Sequence, residues 1–539
     1  MIAWYSFSTN TTFAFGRQDT LRGTDGRGRF WWDVQHYDLS VTIDSADRSV
    51  SGLNIISAVV VAAPADSLQL DLQKGLTIDS VIMHGRSLTA VREGNVWWVI
   101  YPFHNFSPGA RLTLQVYYQG TPPEAKMPPW QGGFVWSTDS TGNPWVAVAC
   151  QGLGASSWWP CKDFQADEPD KGMMIDISFP GKRSVISNGR MIDCGFDEED
   201  AEEGQYGCTW TVTNPINTYN ASFYIGDYVS WQDTLMGEKG RLDLEYHVLR
   251  YNEQRARRQF AVVKPMLRCF EYWMGPFPFY EDGYKLVESP YLGMEHQSAV
   301  AYGNQYKMGY LGTDRSSTGV GMLFDFIIIH ESGHEWFGNN ITAADVADNW
   351  LHEGFTTYTE VLFAECAFGR DSAYKYMLGL WRGIQNDRAV IGAHGVHDDG
   401  SSDKYVKGAA VVHMIRRIIN DDQKFRALLR GLNKEFYHKT VTSREVEAYI
   451  SRFAGYDFGP LFEQYLRSAA IPRLEWTVKK RELRFRWVNA VTGFSIPLEI
   501  SSGRQRQVIY PTSEWQSVRW TRGYDIHFDP NYLIETRLP

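Results

Sequence analysis

Clusters of lysine and arginine are missing from this chain of 539 residues, which carries a formal net charge of −10 and a pI near 5.8. A polyanion-binding surface needs such clusters, so nucleic acid is not an expected partner. No apolar run reaches the roughly eighteen residues that a membrane-crossing helix requires, and no transmembrane segment is expected. Cysteine is sparse: the six stand at 150, 161, 194, 208, 269 and 366, with no C-x-x-C pair. That excludes a disulfide scaffold and leaves the compartment open. Cys194 and Cys208 flank the acidic run 197–203 and could be bridged across a hairpin, with two free thiols the equal alternative. Internal repeats and low-complexity segments are also missing, which argues against solenoids and linkers. What is abundant is core material, 43% hydrophobic and 14% aromatic, enough for about two to four domains.

The chain changes character three times. Ile2 to Gly16 is mildly apolar and ends in Phe13-Ala14-Phe15-Gly16, similar to the end of a signal peptide but without a basic n-region. Residues 1–25 are therefore read as a tail or trimmed leader, and on that ground a periplasmic or secreted location is favoured over a cytoplasmic one. Residues 26–248 alternate apolar and polar positions in short runs such as Leu68-Gln69-Leu70-Asp71-Leu72, the pattern of an all-β domain. Helical periodicity dominates 249–470, with the first helix, 252–270, kinked or broken at Pro265. Strands return in 471–539 as a small C-terminal β domain. The fold class is α+β multidomain, and a monomer is favoured.

The helical block contains His330-Glu331-Ser332-Gly333-His334. Positions i and i+4 share one face of a helix, so the two imidazoles can address one metal while Glu331 lies beside it. Catalytic zinc sites take three protein ligands and leave a fourth position to water, and two histidines with a glutamate are a recurring set. Glu353, nineteen positions after His334 in a second apolar stretch, is the expected third ligand. An apolar run from Met322 to Ile329, interrupted by Asp325, leads into His330 and buries the site. Gly333 costs a helix about 1 kcal/mol relative to alanine and marks a close-packing position.

A second segment, Ser289-Pro290-Tyr291-Leu292-Gly293-Met294-Glu295-His296-Gln297, resembles the Gly-x-Met-Glu-Asn exopeptidase signature. With the HESGH pentapeptide and Glu353 it makes the chain similar to the gluzincin zinc aminopeptidases, the group of aminopeptidase N and leukotriene hydrolase, as a short three-domain bacterial-type member. Further matches are Asp403-Lys404-Tyr405-Val406-Lys407-Gly408, similar to the family's Tyr-x-Lys-Gly stretch, and Ala149-Cys150-Gln151-Gly152 ahead of Asp167-Glu168-Pro169. The resemblance implies a saddle-like N-terminal β domain, a thermolysin-like catalytic domain, a C-terminal β-sandwich and one zinc ion on His330, His334 and Glu353. It also implies an open cleft with loose restriction on substrate length.

The implied activity is removal of N-terminal residues from peptides with a free N-terminus. Glu331 would be the general base and Tyr405 would donate to the oxyanion; Glu295 would grip the α-amine, and Gln151, Gly293 and Met294 would contact substrate. The chain departs from the family pattern at Leu292, His296 and His352, where glycine, asparagine and asparagine are usual; both histidines are read as supporting or packing residues. The alternatives are a zinc endopeptidase, an epoxide hydrolase on the same scaffold, and a non-catalytic peptide-binding module.

Overall fold

The computed structural model describes residues 15–150, 152–196, 204–520 and 526–537, so Gln151 and the acidic run 197–203 lie outside the described residues. A ten-stranded sheet dominates the first half, in the spatial order Arg190–Phe196, Gln205–Val212, Met173–Pro180, Trp32–Asp44, Ser49–Val60, Arg111–Gly120, Leu76–Met83, Arg86–Glu93, Val96–Ile100, Ser67–Asp71. Alternation drives this layer: Tyr37, Leu39, Val41 and Ile43 are buried on one face of their strand. A register shift between Val34 and His36 reverses the parity there, so that Trp32 and Val34 are buried on the same strand. A four-stranded sheet, ordered Ser184–Ser187, Phe223–Gly226, Pro144–Ala149, Gly133–Thr138, shares one apolar cluster with it.

The hairpin Tyr228–Gly237 and Gly240–Leu249 pairs onward, in parallel, with Tyr284–Glu288, and through it with Val300–Tyr302 and Gly293–Met294. Its side chains Leu235, Leu242, Leu244 and Val248 belong to the helical block's core. A division drawn at residue 248 therefore cuts through one sheet, because alternation identifies a strand without saying which sheet it joins. The first helical stretch breaks at Phe260–Val262, between Glu253–Gln259 and Val263–Met274. Pro265 sits in the first turn of the second piece, where its missing N–H is tolerated.

The centre of the helical block is Trp350–Phe368, buried continuously from Trp350 to Ala364. A helix buried on every side has to be enclosed, and Phe326–Gly333, Val263–Met274, Arg370–Leu380 and Val406–Ile419 enclose it. The final strands form two small sheets, Gln516–Arg519, Glu482–Val488, Arg473–Lys479, Glu535–Arg537 and Gln505–Ile509, Leu498–Ser502, His527–Phe528, whose apolar side chains merge with the helical core. The α+β multidomain expectation holds.

The segment read as a tail is built in from residue 17. Arg17–Gly23 is a helix; Arg29, fully buried, pairs with Asp71 and donates to the carbonyls of Arg22 and Thr24 at 2.9 and 3.1 Å. Two disulfides are formed, Cys194–Cys208 and Cys269–Cys366, while Cys150 and Cys161 are buried free thiols. The first joins directly paired strand residues, and the second ties Val263–Met274 to the end of the central helix. Under denaturing, non-reducing conditions two thiols per chain are expected to react with a thiol reagent, against six after reduction; six without reduction would rule out both bridges.

Candidate metal centre and its cleft

Asp325 interrupts the apolar run because it caps the helix Phe326–Gly333: its carboxylate accepts from the N–H groups of Ile327 and Ile328 at 3.1 and 3.4 Å. The buried Phe326 to Ile329 then fix His330 and His334 against the central helix. Past His334 the backbone leaves helical geometry at Phe337 and Gly338. That turns the Phe337 carbonyl back to His334 Nδ1, 3.0 Å away, with Thr356 Oγ1 at 3.2 Å. His330 Nδ1 lies 2.8 Å from Glu360 Oε1, whose other oxygen accepts from Tyr376 OH at 2.6 Å. With Nδ1 of each ring engaged in this way, both Nε2 lone pairs face inward.

Glu353 enters from the first turn of Trp350–Phe368, and its Oε2 lies 3.5 Å from His330 Nε2 and 3.4 Å from His334 Nε2. Ligands of a tetrahedral ion with bonds of about 2.0–2.1 Å stand roughly 3.3–3.4 Å apart. Glu353 Oε2 is also buried without a hydrogen-bond partner among the described residues. An orphaned carboxylate oxygen between two inward imidazoles is costly unless a cation joins them. The three donors therefore fit one zinc-type ion. Electrostatics agree: burial opposes charge on His330, yet Glu353 and Glu360 outweigh it and raise it to about 10, and His334 is likewise raised. Glu353 is held well below the usual carboxylate range, the two histidines overcoming its burial.

Glycines set these distances. A Cβ on Gly354 would lie 2.9 Å from the backbone of Gly408, so Trp350–Phe368 and Val406–Ile419 touch backbone to backbone. The contact puts Tyr405, at the start of the second helix, beside Glu353, with its ring stacked 6.1 Å from that of His330. Burial, reinforced by Glu353 and Glu295, raises the Tyr405 phenol well above 10 and keeps it a proton donor. Gly333 is a close-packing position: a Cβ there would meet Thr359 Oγ1 at 2.4 Å. At Gly293 a Cβ would meet Glu331 Oε1 at 2.9 Å, so a bare strand edge makes room for Glu331. Glu331 is buried; that burial, with Glu295 and Glu353 adding against the two histidines, raises it to about 7.

A cavity of about 430 Å³ opens over these groups between the β domain and the helical block. Glu353, Glu295, Tyr405 and His352 line one region of it. Glu295 accepts from Tyr219 OH at 3.2 Å, and its backbone carbonyl accepts from Asn339 at 2.9 Å. Tyr219 comes from the β domain, in a turn with no local signal, and the sequence reading missed it, as it missed Glu360. Met294 does not line the cavity: strand alternation turns its side chain into the β-domain core while Gly293 faces Glu331. Tyr291 likewise packs inward, donating to Val148 O at 2.9 Å. His352 Nε2 accepts from Ala343 N–H at 2.7 Å and His296 Nδ1 shares a 2.7 Å hydrogen bond with Tyr224 OH. Burial lowers both histidines to about 3, so each is neutral and held away from the three-donor centre. Gln151 is outside the described residues, though its neighbours Cys150 and Gly152 line the cavity.

Residues 262–465 match the Peptidase family M1 domain, so the helical block is the domain of a peptide hydrolase. Leukotriene A-4 hydrolase of Xenopus laevis is 22% identical over 446 residues, 78% of this chain and 68% of that protein. Aminopeptidase N of Lactococcus lactis subsp. lactis is 28% identical over 217 residues, 36% of this chain and 25% of that one. Aminopeptidase B of Mus musculus is 27% identical over 344 residues, 59% of this chain and 48% of its own length. The fold is shared with an M1 zinc metallopeptidase from Deinococcus radiodurans, solved as a mutant bound to a Tyr-Ser-Ala substrate: TM-score 0.66, 21% identity, 84% of this chain and 98% of the other.

Zinc added to chelator-stripped protein is expected to bind at one ion per chain and to raise the unfolding midpoint by several degrees, as a ligand of the native state does. Elemental analysis and a melting curve should both lose the effect in Glu353→Gln and His334→Ala, and retention in both variants would place the ion elsewhere. Gly408→Ala should cost about 1–3 kcal/mol in denaturant unfolding, because its methyl would push apart two helices already in backbone contact.

Proposed function

We propose that the protein is a zinc-dependent aminopeptidase in which His330, His334 and Glu353 hold the ion. The observation that carries this reading is the orphaned Glu353 oxygen facing two inward imidazoles, in one cavity with the buried carboxylate of Glu295. When bound there, zinc supplies a Lewis acid and a water of lowered pKa.

The chain's own residues divide the remaining work. Glu331, buried beside the donors and raised to about 7, takes the proton of the attacking water on its carboxylate and passes it to the leaving nitrogen. Tyr405 keeps its phenolic proton and donates to the oxygen of the scissile carbonyl, a contribution of about 2.7–4 kcal/mol for one such donor. Glu295, 5% exposed and steadied by Tyr219, receives the substrate's α-ammonium, and at that buried position the pairing is strong enough to set the register of the chain. Register is what makes the enzyme an exopeptidase: with the amine fixed, only the first peptide bond reaches the centre. The bare Gly293 strand beside Glu331 offers backbone to the substrate, and Gln151 would contact it from the β domain.

The aminopeptidase names of two relatives and the tripeptide bound by the Deinococcus radiodurans enzyme support this reading over an endopeptidase, an epoxide hydrolase or a binding module. The test is hydrolysis of aminoacyl chromogenic amides with and without an N-acetyl block. Wild type should cleave only the free-amine series. Glu331→Gln should lower kcat by about 10²–10⁴-fold with the metal retained, and Glu295→Ala should raise KM sharply. Equal cleavage of blocked substrates would sink the amine anchor.

A further inference from the structure

The same cavity carries a cation with no hydrogen-bond or ion-pair partner among the described residues. Arg22 lines it together with Gly23, Asp163, His397, Asp399 and Lys404. Among the described residues the side chain of Arg22 makes no hydrogen bond and has no carboxylate within 4.0 Å of its nitrogens. The other cations nearby are committed. Lys404 pairs with Asp399 at 2.5 Å, and the terminal nitrogens of Arg29 are spent on Asp71 and on the carbonyls of Arg22, Thr24 and Asp163. Asp163 faces Arg22 but is itself taken by Ser156, whose N–H and hydroxyl donate to it at 3.1 and 2.6 Å. His397 Nε2–H donates to the Gly152 carbonyl, 3.0 Å away, and its burial favours the neutral ring.

Arg22 is also held in place. Its helix is pinned by Arg17 to Glu93, by Gln69 to the Leu21 carbonyl and by buried Arg29. Immediately after it, Gly23 presses on the helical block so closely that a Cβ would lie 2.4 Å from the Val396 carbonyl carbon. This helix therefore closes part of the cleft. The charges that Arg22 senses are Asp163, Asp71, Arg29 and Asp19, a set distinct from the carboxylates around the metal donors. One cavity thus has an anionic region at Glu295 and an unpaired cation in another.

We propose that Arg22 receives the C-terminal carboxylate of a short peptide, so that the enzyme selects substrates of a few residues with both ends free. The inference rests on the aminopeptidase reading, since it needs Glu295 to hold the amine. A guanidinium matches a carboxylate bidentately, and in a partly buried cavity that pair discriminates against an amide end. A cavity of about 430 Å³ suits a ligand of that size.

The experiment compares a tripeptide X-Gly-Gly with its C-terminal amide, X being the residue favoured in the aminoacyl amide panel. Wild type should prefer the free acid by at least about tenfold in kcat/KM, the preference lying in KM, as expected for a charge-assisted contact. The ratio should fall to near one in Arg22→Met and be partly kept in Arg22→Lys. Arg27→Gln, at an exposed position five residues further on and outside the cavity lining, should keep it whole. A wild-type ratio near one, or a ratio that survives in a folded Arg22→Met, would overturn the proposal. Failure to cleave any aminoacyl amide would bring down the aminopeptidase reading and this inference together, whereas cleavage with a ratio of one would remove the inference alone.

Discussion

One buried carboxylate organises the catalytic half of the molecule. Glu353 is buried with an oxygen that has no hydrogen-bond partner among the described residues, and two imidazoles turn their Nε2 atoms toward it. Burying a carboxylate in this way costs several kcal/mol unless a counter-charge arrives. The surrounding structure does not relieve the cost but holds it in place: Glu360 and Tyr376 fix one ring, and Phe337 O and Thr356 fix the other. Without these partners the rings could rotate and satisfy Glu353 themselves, and the demand for a cation would vanish.

Holding such strain needs a rigid enclosure, and its geometry explains several residues that look unfavourable in isolation. Gly354 and Gly408 each sit in helices, where glycine weakens the local structure by about 1 kcal/mol. Their contact lets two helices approach until Tyr405 stands over the donors. Gly333 does the same toward Thr359, and the disulfide Cys269–Cys366 ties the far end of the central helix. Local propensity has yielded to tertiary fit at the places where the metal donors must be brought together.

The parts of the site that were legible in the sequence are those whose chemistry fixes a short spacing. His330 and His334 follow helical periodicity, and Glu353 lies on the next apolar helix. Asp325 could have been recognised as a cap, since a lone acidic residue before an apolar run is the usual cap signature. Tyr219, Glu360 and Arg22 were not legible, because each reaches the cavity or its donors through folding alone and its neighbours in sequence carry no pattern. Met294 misled for a simpler reason: a two-residue strand gives no periodicity from which to tell its faces apart. The domain division at 248 failed in the same way, with the hairpin Tyr228–Leu249 alternating like the preceding strands while pairing with Tyr284–Glu288.

The cavity's construction from two bodies separates chemistry from selection. The donors, Glu331 and Tyr405 all come from the helical block, whereas Tyr219, Asp163 and Arg22 come from the β domain and its N-terminal helix. Gln165 bonds Ala343 O and Asn349 across the boundary at 2.8 and 2.9 Å, and Asn188 bonds Gln297 O at 2.6 Å, so the two bodies are fixed relative to each other near the cleft. A substrate that touches both bodies is then measured against a set distance, not merely against a surface. On the proposed reading the helical block supplies the hydrolysis and, in Glu295, the amine anchor, and the β domain adds selection through Tyr219 behind Glu295 and Arg22 in the cavity wall.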